Sequence, residues 1–246
     1  MRNITMLGMR MGAICAAAAL CTGCPSPNTY GTPRTTPVGK IQHSLAAEGF
    51  GYSGHDAETN TDTSGAIPTF PTYTLRVGVA DTVDIGARIA NLSSIGADVK
   101  WNFLKSESFD MAIDPGFQGF YLSSSSGGQD TSLGIIYLHA PLLLGINLGD
   151  SVSIVPTLGV TYAIATASTS GTSGRDSATG NSGIMLRPGL GFDFRISERF
   201  AIHPEVTFLK TLKGSDEDSS LIYVFGLGFN FGNLPKYGAG SEAPKE

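Results

Sequence analysis

Tyr73-Thr74-Leu75-Arg76-Val77-Gly78-Val79, the join Ala80-Asp81-Thr82, and Val83-Asp84-Ile85-Gly86-Ala87-Arg88-Ile89 decide how this chain folds. Apolar residues hold every second place in both runs, the period of a strand with one apolar and one polar face. A short join between two such runs makes an antiparallel hairpin. The next segments repeat the pattern. Ile95, Ala97, Val99, Trp101 and Phe103 alternate with Asp98, Lys100 and Asn102, and Phe109, Met111 and Ile113 with Asp110, Ala112 and Asp114. Towards the end, Ile184, Leu186, Leu190, Phe192 and Phe194 oppose Arg187 and Asp193, and Phe200, Ile202, Val206 and Phe208 oppose His203 and Glu205. The last run carries Leu221, Tyr223, Phe225, Leu227, Phe229 and Phe231 on one face. About ten such segments fill Gly39 to Phe231. Their joins alternate in length. Ala80 to Thr82, Leu104 to Ser108, Leu148 to Asp150 and Ser197 to Arg199 are tight. Gly51 to Thr69, Leu122 to Asp130, Ala167 to Ser182 and Lys210 to Ser219 are long, and only the join around Asn91 breaks the rhythm.

Short turns at one end and long loops at the other predict an all-β fold, a closed antiparallel up-and-down transmembrane β-barrel. Ten strands are expected, with eight and twelve as alternatives. The apolar set then faces lipid and the polar set the lumen. An aromatic girdle is expected where rings meet headgroups. Trp101, Phe103, Phe109, Phe194, Phe200, Phe229 and Phe231 fall at the tight-turn end, and Tyr73, Tyr162, Phe208 and Tyr223 near the other. Pro141, Pro156, Pro188 and Pro204 lie inside strands and each demands a bulge or gap in the ladder. The Leu142-Leu143-Leu144 run blurs the alternation of Gly134 to Ile146. By pattern, nearly the whole mature chain resembles the small bacterial outer-membrane β-barrel proteins. Phe231 is similar to the aromatic-terminated assembly signal of that family, although residues 232–246 follow it here.

The start of the chain reads as a targeting segment. Arg2 and Arg10 precede the apolar run Met11 to Leu20, which is too short for a spanning helix. Leu20-Cys21-Thr22-Gly23-Cys24 resembles the lipobox of bacterial lipoproteins, except that Cys21 holds the usual leucine position. The resemblance implies a signal peptide over 1–23, lipidation of Cys24 as the new N-terminus and, with Pro25 behind it, an outer-membrane destination. Cys15, Cys21 and Cys24 are the only cysteines, so the mature chain has no disulfide partner for Cys24. Residues 24–38 read as a Pro/Thr-rich flexible linker, 39–231 as the barrel, and 232–246 as a flexible periplasmic tail. A periplasmic anchor makes both termini periplasmic and the long joins external.

The formal net charge is -5 and becomes -7 once residues 1–23, with two arginines and no acids, are removed. An acidic chain lacks the basic footprint of a nucleic-acid binder. Charged residues are 15% of the chain, which suits a lipid-facing wall. On the expected register the lumen holds Lys40, Arg76, Arg88, Lys100, Arg187 and Arg195. Their counterparts are Glu48, Asp84, Asp98, Asp110, Asp114, Asp193 and Glu205. Near-cancelling charge suits a packed, salt-bridged interior; a narrow solute-selective channel is the alternative.

His139 and His203 also face the lumen, while His43 and His55 do not complete any catalytic spacing. His203 and Glu205 share a face, which could orient an imidazole, but no nucleophile elbow, phosphate loop or zinc spacing accompanies them. The acidic run Asp216-Glu217-Asp218 reads as a solvated loop tip. The expectation is therefore a non-enzymatic, cofactor-free, metal-free barrel with a structural, surface-interaction or minor porin-like role. Its partners are membrane lipid, through wall and acyl anchor, and a surface contact at the external loops; a small solute stays open. The rivals are a periplasmic lipoprotein with a soluble lipocalin-like barrel, its apolar set inward, and a barrel enzyme acting on lipid or peptide.

Overall fold

A computed structural model describes residues 26–56, 61–126, 129–171, 177–212 and 221–236. Among them are twelve strands. These are β1 (Ile41–Asp56), β2 (Thr61–Pro68), β3 (Thr72–Ala80), β4 (Val83–Ala90), β5 (Ser94–Lys105) and β6 (Phe109–Ile113). Then come β7 (Gly116–Ser126), β8 (Gln129–Leu148), β9 (Val152–Gly171), β10 (Ser177–Ser197), β11 (Phe200–Thr211) and β12 (Leu221–Gly232). β2 and β3 both lie along β1, and β6 and β7 both bridge β5 and β8, so each pair makes one interrupted stave. The wall therefore has ten antiparallel staves. It closes where β12 pairs with β1 in unbroken register from Gln42↔Gly232 to Ser53↔Leu221. The expected count of ten holds.

The staves are longer than the alternation indicated. β1 and β2 pair out to Asp56↔Thr61, β7 and β8 to Ser126↔Gln129, and β9 and β10 to Thr169↔Ser177, all within stretches read as loops. Serine and threonine populate both faces there. Their backbones pair as well as any other, but with no apolar face to sort they leave no period of two. The short turn at Asn91 does have a local cause. Asn91 and Leu92 adopt φ of 53° and 59°, the left-handed pair at the centre of a tight turn that the Ser93 amide closes on Ala90 O at 3.3 Å.

Exposure follows the expected faces. Ile85, Val99, Leu158, Val160, Ile184 and Phe225 are exposed on the outer wall, while Arg76, Asp84, Arg88, Asp98 and Lys100 are buried inside. An outer belt this apolar is stable only against lipid. The lipocalin-like alternative needs the reverse sorting and is overturned by it.

The prolines act as expected at one seam. Between β10 and β11 the register is the same throughout Leu186↔Lys210, Gly189↔Thr207, Gly191↔Glu205 and Phe194↔Ile202, yet the pairs at Pro188 and Pro204 are missing. Both residues remain in register with their other neighbours, Leu158 and Leu227, so each ring removes a donor on the β10–β11 side only.

Candidate functional site

The interior is solid at the tight-turn end. Arg76 lies at its centre, with Nη2 2.7 Å from Asp84 Oδ1, Nη1 2.7 Å from Asp98 Oδ1 and Nη2 3.1 Å from Asp114 Oδ1. Lys100 Nζ reaches Asp84 Oδ2 at 3.3 Å. Arg76, Asp84, Asp98 and Lys100 come from β3, β4 and β5, neighbours whose alternation turns these side chains the same way. On the other side His203 Nδ1 stands 3.1 Å from Asp193 Oδ1 and Nε2 3.6 Å from Glu205 Oε2. His203 is completely buried, so no substrate reaches it in this arrangement.

The main correction to the sequence reading concerns residues 24–38. Cys24 lies outside the described residues, but 26–36 is no free linker: it runs down the lumen. Ser26 Oγ donates to Glu48 near the midpoint of β1, and Ser26 O accepts from Gln118 Nε2 at 2.8 Å and Arg88 Nη1 at 3.2 Å. The amides of Thr29 and Tyr30 donate to Glu205, at 2.9 and 2.6 Å. Lys100 donates to Thr32 O and Asn102 to Pro33 O, each at 3.1 Å. Arg34 Nε then pairs with Asp110 at 2.7 Å, and the Thr36 amide donates to Asp84 at 2.8 Å. The segment turns at the tight-turn end and enters β1.

Two features of the wall admit this plug. Tyr30, 1% exposed, packs against Gly226 and Gly228, where a β-carbon would collide with its hydroxyl and its ring respectively, and meets His203 edge-on with centroids 6.5 Å apart. Gly78 leaves room for the backbone of Thr36 and Pro37 in the same way. The part of the tail that is described, up to Lys236, is also packed rather than free. Leu234 is buried, Lys236 O accepts from Arg34 Nη1 at 2.9 Å, and Pro235 O accepts from Arg195.

Of the charges expected inside, Glu48, Arg76, Asp84, Arg88, Asp98, Lys100, Asp110, Asp114, Arg187, Asp193 and Glu205 are buried and Arg195 is half-buried. Lys40 is not among them; it is exposed in the turn before β1, and Arg34 takes an interior place instead. His139 is half-buried on the inner face of β8. His55 and the acidic run 216–218 fall where the side chains are not described. Among the described residues no group of histidines, cysteines and acids is placed to hold a metal ion.

The girdle residues all point outward. Trp101 and Phe103 pack at 5.7 Å, Phe192 and Phe194 at 6.3 Å, and Phe200 and Phe229 at 6.5 Å, forming the tight-turn belt. Phe208 and Tyr223 meet at 6.3 Å towards the other end. Tyr73 is the second residue of β3 and pairs on one side with Ile89, just below the Asn91 turn. On the other it pairs with Leu45, low on β1, because β2 carries that stave on beyond it, and its hydroxyl lies 2.7 Å from His43 Nδ1 on the outer wall.

A closed ten-stave barrel with an apolar exterior and a charged interior defines the outer-membrane type of β-barrel. No protein-family model matches the chain, and no curated protein does. Among solved structures it is similar to the outer membrane protease OmpT from Escherichia coli, with a TM-score of 0.51 at 8% identity, over 83% of this chain and 100% of that one. It is also similar to the translocator domain of the autotransporter NalP from Neisseria meningitidis, with 0.47 at 10% identity, over 93% and 95% of the two chains. The attachment invasion locus protein Ail of Yersinia pestis gives 0.38 at 12% identity, over 78% and 99%. At such identity the likeness is one of fold.

Proposed function

We propose that this protein is a bacterial outer-membrane barrel held closed by its own N-terminal segment, with tight turns in the periplasm and long connections outside. Its role is structural or in surface interaction rather than in conduction. One observation carries the reading: residues 26–36 occupy the lumen and bond to groups all round the wall, among them Glu48, Arg88, Lys100, Asp110 and Glu205. The plug is held by hydrogen bonds and by the packing of Tyr30 rather than by strand pairing, so a porin-like state follows if it leaves. Single-channel recording in a planar bilayer tests this. The refolded chain should be silent, and deletion of residues 25–36 should give stable conductance steps. Steps from the intact chain, or silence from a properly folded deletion, would overturn it.

The acyl anchor expected on Cys24 belongs to the proposal in a conditional form. Only Pro25 separates Cys24 from Ser26 at mid-lumen, a reach of roughly 7 Å at most. Acyl chains in the periplasmic leaflet therefore require the segment to be withdrawn, and the anchored and plugged states exclude each other. A chain carrying labelled palmitate at Cys24 that is also silent in the bilayer would refute this exclusion. The enzyme alternative gains nothing from the buried His203. If it held, His203→Ala would abolish a cleaving activity.

A further inference from the structure

At the Ser26 end of the plug the lumen changes character in two steps. The first is a polar layer of Glu48, Arg88, Gln118, His139 and Arg187. Its cations are incompletely used. Arg187 is 2% exposed, and its Nε and Nη1 have no hydrogen-bond partner among the described residues. Arg88 bonds to the plug through Nη1, yet its Nε is likewise unpartnered. Glu205, on the neighbouring strand β11, already takes the amides of Thr29 and Tyr30 on its oxygens. Leaving guanidinium donors buried and unmatched costs several kcal/mol.

The second step is apolar. Two residues further towards the long-connection end, on the same strands, Gln118 gives way to Phe120, Arg187 to Met185 and Glu48 to Phe50. On β11 Thr207 gives way to Leu209. Phe120, Met185 and Leu209 are buried although they face the lumen. A barrel that only needed a filled core has no reason to place an apolar ring outside a layer with spare positive donors. That order matches an amphiphile lying along the axis, head inward. The planar fork of a guanidinium fits a carboxylate, and the two arginines supply its charge.

We propose that this layer binds the carboxylate of a long-chain amphiphile, with Arg187 as its main partner and its chain running through the ring of Phe50, Phe120, Met185 and Leu209. The site goes beyond the closed-barrel reading and borders the Ser26 end of the plug. The test uses the full chain refolded into phosphatidylcholine nanodiscs and dodecanoate labelled with 13C at the carboxyl, with empty nanodiscs subtracted. Dodecanoate should bind saturably with a shifted carboxyl resonance. Dodecanol, which has the chain without the charge, and acetate, which has the charge without the chain, should bind at least tenfold more weakly. Arg187→Met should weaken dodecanoate at least tenfold, and Arg187→Lys should recover part of the loss. Met185→Asp, which puts a like charge in the chain's path, gives a second tenfold loss should Arg187→Met fail to fold. Equal binding of dodecanol or acetate, or no effect of the folded variants, would overturn the proposal. Silence of the intact chain in conductance bears only on the plug, so the two readings fail separately.

Discussion

Tyr30→Ala isolates the plug from the wall. The ring is fully enclosed, and its hydroxyl accepts from Asn28 Nδ2 at 2.8 Å. Its carbonyl accepts from Asn230 Nδ2 at 3.0 Å, a contact the substitution leaves in place. Truncating a core aromatic to alanine costs about 3–5 kcal/mol. The staves do not depend on Tyr30 for pairing, so the loss should fall on docking of residues 26–36 rather than on the barrel. At about 1.4 kcal/mol per tenfold, the docked-to-undocked ratio should fall by roughly two to three and a half decades. Hydrogen exchange in nanodiscs reads this directly. The amides of Thr29 and Tyr30, which donate to Glu205, should exchange faster by that factor, while those paired between β8 and β9 keep wild-type rates. Bilayer recordings should show brief openings absent from the parent. Faster exchange throughout the wall would mean that the plug and barrel unfold as one unit. No change at Thr29 would mean that Tyr30 does not hold the segment. Either result defeats the reasoning.

Asp84→Asn should destabilise the barrel by about 3–5 kcal/mol, because it strips Arg76 and Lys100 of a fully buried partner; urea unfolding followed by heat-modifiable gel migration measures it. Leu158→Arg places a charge on the exposed outer face of β9 and should cost about 2–4 kcal/mol in refolding into lipid vesicles, whereas the same change at Ser124, near the end of β7, should cost far less. Pro188→Ala and Pro204→Ala restore a donor to the β10–β11 seam. Amides flanking the gaps should then exchange more slowly, and unchanged rates would show that something other than the prolines interrupts the ladder.

The faces of the wall were legible because alternation and burial have one cause: lipid outside and packed charge inside sort side chains at a period of two. Val77 with Arg76, or Val99 with Lys100, could be assigned from neighbours alone. The upper reaches of β1, β2, β9 and β10 were not legible, since beyond the apolar belt nothing sorts Ser64, Thr166 or Ser168 to a face. The plug was missed because Pro/Thr-rich sequence looks like a linker whenever its partners are distant, and the partners of Thr29, Tyr30 and Thr36 are Glu205 and Asp84. A signal did exist. With Lys40 outside, the expected interior has more acids than bases, and the only arginine in 24–38, Arg34, restores one of the missing charges. The unused donors of Arg187 have no counterpart in the sequence at all, because they depend on what every other lumen group has already bound.

The plug also constrains the order of construction. β1 and β12, the first and last staves, zip together without a break, while residues just before β1 lie enclosed behind that seam. The wall must therefore close around the segment, or the segment must slip in afterwards as a free end through the tight-turn rim. A slender N-terminus permits the second route and a bulky one forbids it. On that second route, whatever is attached ahead of Ser26 when the seam meets decides whether the finished barrel is sealed or open.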